Sequence, residues 1–214
     1  MKYFYPEEFK RPHGRVLRTP PLRHTAHHAA MSNACAEKLI TFYVLNPPGG
    51  KGIGMVNYWL ISGLRENLEV GIRTKMWALN PEKARTEADK KRLSEFIGLM
   101  HKGDIAALRV VEFRAGRMIS ARIVGFAKID DVFYEERYPI WPDERRGKPI
   151  YPWKIRFSDV IALSPDNWPR IGLKPPTISD ERFLSRIGLG LLLPNEYVDL
   201  IKRAEQRWGL MISL

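Results

Sequence analysis

Between Tyr58 and Asn80 the chain changes its hydrophobic period twice, and this stretch, YWLISGLRENLEVGIRTKMWALN, leaves little freedom in how it folds. Tyr58 to Ser62 is an aromatic and β-branched run that reads as a buried strand. Leu64, Leu68 and Ile72 then recur every four residues, which places them on one face of a short helix over Arg65 to Thr74. Met76 to Leu79 reads as a second strand, stopped by Asn80-Pro81. The order strand, helix, strand brings Ser62, Asn67 and Trp77 toward one spot, the first candidate site. A tryptophan in a short strand is core more often than ligand wall, so plain packing stands beside that reading.

The chain has 214 residues, 44% of them hydrophobic, with a single cysteine, Cys35. That is enough to bury a core and excludes an internal disulfide framework. No apolar run approaches the roughly 18 residues that cross a bilayer, and no secretory signal opens the chain. These features lead to the expectation of a cytoplasmic protein without membrane attachment. The net charge is +11; residues 1–54 carry eight Lys or Arg against three Glu (+5), and the remainder 27 basic against 21 acidic residues (+6). A basic balance favours a polyanionic partner, because each neutralised phosphate releases counterions.

Residues 1–54 read as a basic, His- and Pro-rich, poorly structured extension, and residues 55–214 as the folded domain. Met55 directly precedes the first strong strand, so a natural start at Met55 or Met31 is one expectation. His24, His27, His28 and Cys35 match no common zinc spacing. Gly49 to Gly54 lacks the Gly-Lys-Ser/Thr ending of a phosphate loop. No metal or cofactor is expected.

After Asn80, a helix capped by Asn80 with Pro81 at its first position is expected to about Leu99, with Leu93, Phe96, Ile97 and Met100 as its apolar stripe. Ile105–Val111 and Met118–Ile129 read as strands joined at Arg114 to Arg117, with Gly125 marking a bulge or bend. Tyr134 to Ile150 reads as a long polar loop that sets Trp141 beside Pro142, as a lid or wall more than as core. Glu135, Glu136, Asp143 and Glu144 would suit a hydrolase, but the interleaved Arg137, Arg145, Arg146 and Lys148 favour a solvated mixed-charge loop. Tyr151–Phe157 reads as a strand with Trp153, Ile155 and Phe157 on one face, continued by Val160–Leu163. Pro165–Pro176 is expected to be irregular and Ser179–Ile187 a short helix. Pro194–Arg207, with Tyr197, Leu200, Ile201, Ala204 and Trp208 in helical phase, is an amphipathic helix.

Taken together, residues 55 to about 205 resemble an EVE domain, a member of the PUA-like superfamily that also contains the YTH modified-base readers. The resemblance rests on Tyr58 to Ile61, Arg65-Glu66-Asn67, Met76-Trp77, Lys102-Gly103-Asp104, Ile123-Val124-Gly125, Tyr151 to Ile155 and Leu193 to Tyr197, spread in order over the domain. It implies an α+β fold, a mixed barrel of about five to six strands flanked by helices. It also implies a non-catalytic reader that takes a flipped, modified and often methylated base of DNA or RNA between aromatic walls. Carried over by position, Trp77 is one wall, Asn67 and Ser62 line the pocket, and Ala78 offers its backbone where YTH readers have a serine. Gly63 stands where they have an asparagine. Trp141 is the second wall by its setting, and Trp153 completes the expected pocket. Arg65, Arg73, Lys75, Arg145, Arg146 and Lys148 are the expected phosphate contacts. The rivals are a carboxylate-dependent hydrolase or nuclease built on the 135–144 loop, and a protein-interaction module with a vestigial pocket.

Overall fold

The computed structural model describes residues 56–135, Trp141, Pro142, Glu144 and 151–214. The expectations placed on residues 1–54 and on Glu136, Arg137, Asp143, Arg145, Arg146 and Lys148 lie outside the described residues.

Three elements follow the opening stretch as read: β1 (Tyr58–Leu64), α1 (Arg65–Thr74) and β2 (Met76–Leu79). Lys75, at φ 53°, ends α1 in the left-handed conformation and turns the chain directly into β2. Asn80 caps as expected, its Oδ1 accepting from Glu82 N at 2.9 Å, but what it caps is a single 3-10 turn, Pro81–Lys83. The long helix is a separate element, α2 (Glu87–Leu99), with its own cap: Thr86 Oγ1 accepts from Asp89 N at 3.0 Å. Leu93, Phe96 and Met100 from the expected stripe are buried.

The strands β3 (Ile105–Arg114) and β4 (Arg117–Tyr134) run longer than their apolar cores suggested. β5 (Trp153–Ala162) follows, then a 3-10 turn (Pro165–Asn167) and a helical turn, α3 (Trp168–Ile171), where irregular chain was expected. The expected helix over Ser179–Ile187 is absent; its centre is a short strand, β6 (Phe183–Leu184), paired with β7 (Leu189–Leu192). Residues near position 183 find a strand partner seven residues on, which local periodicity does not report. The chain closes with α4 (Pro194–Trp208).

The seven strands form one mixed sheet in the order β2-β5-β4-β3-β1-β7-β6, curled as a half-barrel with β2 and β6 at its edges. This is an α+β fold, with more strands among the described residues than the five to six expected. β1 runs parallel to β3, and α1, β2 and α2 supply the crossover that a parallel pair requires. Trp59, Leu60 and Ile61 are all fully buried because both faces of β1 are covered. Trp59 and Ile61 pack with Leu68 of α1 and with Leu93 and Phe96 of α2, whereas Leu60 packs with Leu200 and Ala204 of α4. Tyr58 stacks on Tyr197 of α4 at 4.2 Å, an arrangement that adds about 0.5–1.5 kcal/mol beyond area burial.

The Lys102-Gly103-Asp104 turn has a physical reason. The buried Asp104 carboxylate accepts from Trp59 Nε1 (2.8 Å), Asn57 N (2.9 Å) and His101 N (3.0 Å), so it fixes the entry of β1 to the start of β3. Gly103, at φ 94°, makes the turn possible.

Candidate nucleic-acid site

Trp77 leaves β2 opposite Ile155 and lays its indole over two glycines. A Cβ at Gly63 would stand 2.1 Å from Trp77 Cη2, and one at Gly71 would stand 3.0 Å from Cε3. Gly63, where the resemblance led to an asparagine, is therefore the floor on which the ring rests. Trp77 meets Trp141 at 6.3 Å between centroids with planes 78° apart. The rings touch edge to face, not parallel across a gap, and both are sunk in the fold, at 5% and 2% exposure. Trp141 is accordingly core in this structure and not the exposed lid its polar neighbourhood suggested.

What holds Trp141 inside is Glu144. Its carboxylate, 7% exposed, accepts from Trp141 N (3.2 Å) and Tyr151 N (2.8 Å), tying the two aromatic residues together. Tyr151 lies 6.0 Å from Trp141, and Ala78, Val70 and Met76 complete the cluster. Glu144, one of the acids that invited a hydrolase, thus spends both oxygens on backbone donors.

Lys154 enters the same cluster from β5, opposite Ala78, with its Nζ 4.9 Å from the Trp141 ring centre. It is 1% exposed. Burial pulls its ammonium below the usual lysine range, and the carboxylates of Glu144 and Glu135 partly oppose that shift. A cation over an indole face is an attractive pair, most so when desolvated. Beside it, the Trp77 indole N–H is buried and has no hydrogen-bond partner among the described residues.

Lys83 joins this cluster to a basic cavity. Its Nζ donates to Tyr151 Oη at 3.4 Å and lies 5.2 Å from that ring. The cavity is an open depression of about 520 Å³ lined by Asn80, Glu82, Lys83, Arg85 and Arg186. Asn80 is 1% exposed; its oxygen is taken by Glu82 N, which leaves its amide NH2 as the donor without a partner among the described residues.

The expected site residues divide. Trp77, Ala78 and Trp141 come together, while Asn67 is half-buried on α1, three residues before Val70, and is not a member of the cluster. Ser62 does not join them: strand alternation turns it to the face opposite Gly63, where its Oγ accepts from Arg109 Nε at 2.8 Å. Burial draws that guanidinium down to about 10, and it lies 4.4 Å from the Phe183 ring centre. Trp153 packs at the margin of the main core, edge-on to Tyr134 at 5.3 Å. Arg65 is paired with Glu69 at 2.8 Å and faces Trp168, and Lys75 donates to Ser158 O at 2.8 Å, so both are engaged away from Trp141. Arg73 is exposed in the last turn of α1. Lys154, Tyr151, Lys83, Arg85 and Arg186 are not among the expected site residues, and Glu144 reads in the sequence as an acid of a solvated loop. The Tyr151-Pro152-Trp153-Lys154 run held two of them, but nothing in it signals a buried lysine.

No family model matches the sequence. A curated UPF0310 protein of Saccharolobus solfataricus is 30% identical over 107 residues, which cover 50% of this chain and 62% of that protein. The chain thus matches under two thirds of that relative's length. Among solved structures, a hypothetical protein from Leishmania major aligns with a TM-score of 0.41 at 12% identity, over 72% of this chain and 98% of that one. The Pho92 YTH domain in complex with m6A aligns at 0.38 and 14%, over 73% and 87% of the two chains. A Pseudomonas putida protein aligns at 0.37 and 12%, over 68% and 98%. These structural likenesses are distant. No helix among the described residues is long and apolar enough to cross a membrane.

Proposed function

We propose that the chain is a non-catalytic nucleic-acid reader of the EVE kind, taking a flipped, methylated base of DNA or RNA at the corner of Trp77 and Trp141. The observation that carries the reading is the buried Trp77 indole N–H without a partner among the described residues. A buried donor left unsatisfied costs about 1–3 kcal/mol, and a base nitrogen or oxygen arriving at the corner recovers that cost. The base displaces the Lys154 ammonium from the Trp141 face and stacks there. Stacking on an aromatic side chain is worth about 1–3 kcal/mol per base, enough to offset the few kcal/mol of extrusion. Asn67 and the Ala78 backbone serve the base edge. The flanking phosphate sits in the Asn80, Lys83, Arg85 and Arg186 cavity, which Lys83 connects to Tyr151.

A buried methyl group contributes about 0.8 kcal/mol, so the preference for a methylated over a plain base is about 4-fold. Fluorescence-anisotropy titrations with single-stranded DNA and RNA, each carrying one methylated or one plain base, test this. Equal affinity across the whole panel contradicts it. Lys83→Ala combined with Arg186→Ala weakens methylated and plain strands alike, because phosphate contacts carry no base information.

A further inference from the structure

We propose that the β3–β4 hairpin is a second nucleic-acid contact, an arm that enters duplex DNA independently of the Trp77–Trp141 corner. The sheet supports this hairpin only at its base. β1 accompanies β3 as far as Val111, and β5 accompanies β4 only from Gly125 onward. Beyond those points Glu112–Arg114 and Arg117–Ser120 have only each other as ladder partners among the described residues. The tip is a two-residue turn, Ala115-Gly116, both at positive φ (50° and 75°), the geometry that continues the right-handed twist of a hairpin. The arm is thus a free two-stranded ribbon, an element that DNA-binding proteins place in a duplex groove, the minor groove being the one from which apolar side chains wedge base steps apart.

Its side chains are of two kinds. Phe113 and Met118 face each other across the ribbon, with Ile119 beside them at a bulge, and they are 55%, 56% and 61% exposed. Arg114 and Arg117 form the next cross-strand pair, both exposed, and no ion pair involves either among the described residues. Two guanidinium groups directly opposite repel each other unless an anion lies between them. Glu112, half-buried and opposite Ser120, is the arm's carboxylate; strand alternation puts it on the face of Arg114, farther from the tip and nearer the sheet. An apolar partner would explain Phe113 and Met118 alone. A DNA duplex satisfies both pairs: its phosphates fit between the arginines, and a base step receives the apolar wedge, as unstacking side chains do in DNA-bending proteins.

The test uses an unmodified DNA duplex containing 2-aminopurine, so that its outcome does not depend on the base corner. Each phosphate contact contributes about 0.9 to the salt slope, so losing two removes about 12-fold of the affinity lost between 50 and 200 mM salt. Arg114→Gln with Arg117→Gln therefore shows that much less salt dependence than the natural chain. Phe113→Ser with Met118→Ser keeps the salt slope and loses the rise in 2-aminopurine fluorescence. All four side chains are exposed, so unchanged melting temperatures verify that both variants are folded. An unaltered salt slope in the arginine variant, or an undiminished fluorescence rise in the apolar variant, overturns the proposal. So does binding to phosphatidylserine vesicles that both variants lose while duplex binding stays intact. None of these failures touches the reading of the Trp77–Trp141 corner, which the methylated single strands test separately.

Discussion

Replacing Gly63 by alanine adds one methylene's worth of volume and moves the most important ring of the site. The new Cβ would stand 2.1, 2.9 and 3.2 Å from Cη2, Cζ2 and Cζ3 of Trp77, where carbon atoms rest at about 3.5–4.0 Å. The strand backbone is held on both sides of β1, so the indole has to move. Behind the ring lies Gly71, where a Cβ would stand 3.0 Å from Cε3, and at its edge lies Trp141. Overpacking of this kind costs about 1–3 kcal/mol, from which about 0.5–1 kcal/mol is recovered by removing a glycine from a strand. A net loss of about 1–2 kcal/mol lowers the melting temperature by about 2–8 °C in a domain of this size. Urea denaturation followed by tryptophan fluorescence measures the loss and reports the displaced indole at once. Gly98→Ala is the control. Gly98 lies in α2 with no atom within 4 Å of a built Cβ, so the same exchange stabilises by about 0.5–1 kcal/mol through helix propensity. A Gly63→Ala chain as stable as its parent, or both substitutions shifting stability in one direction, refutes the steric argument.

Two further outcomes concern one buried and one half-buried charge. Lys154 carries a depressed pKa in the fold, so between that value and the unfolded lysine near 10.5 the unfolded chain holds the extra proton and stability rises with pH; the curve of Lys154→Met lacks that rise, and parallel curves for the two chains would dismiss a desolvated ammonium. At Glu196, burial pushes the carboxyl up, but the two-point contact with Arg182 (2.8 and 2.9 Å) and the bond from Leu193 N bring it below 4.5 overall. Arg182→Ala therefore costs about 2 kcal/mol near neutral pH and flattens the loss of stability as pH falls through the lowered value; chemical denaturation at pH 7 and pH 3 checks both.

The parts of the fold set by near neighbours in sequence were legible, and the parts set by distant partners were not. α1, β2 and α4 came from apolar spacing alone, and their bounds follow from capping and turn chemistry at Lys75, Asn80 and Pro194. Ser179–Ile187 misled because Phe183 becomes a strand residue only through Gly190, whose missing side chain lets the Phe183 ring lie at 2.7 Å from where a Cβ would stand. Alternation along β5 correctly put Trp153, Ile155 and Phe157 together and sent Lys154 to the other face. Nothing local showed that Trp141 covers that face, since the bond that seats Trp141 comes from Glu144 in a stretch that reads as solvated loop. The candidate site was half visible for the same reason: Trp77 and Ala78 are adjacent in sequence, but their neighbours Tyr151 and Lys154 reach them only through the β2–β5 pairing.

The most direct test of the reader is Trp77→Phe, which keeps an aromatic ring on Gly63 and removes the unpaired indole N–H. Isothermal titration with a methylated and a plain single strand compares it with the natural chain. The proposed site predicts that the natural chain prefers the methylated strand and that Trp77→Phe, lacking the N–H that either base bonds, holds both strands about 5- to 150-fold more weakly. Unchanged affinity of Trp77→Phe for both strands would contradict the proposal that this indole receives the base.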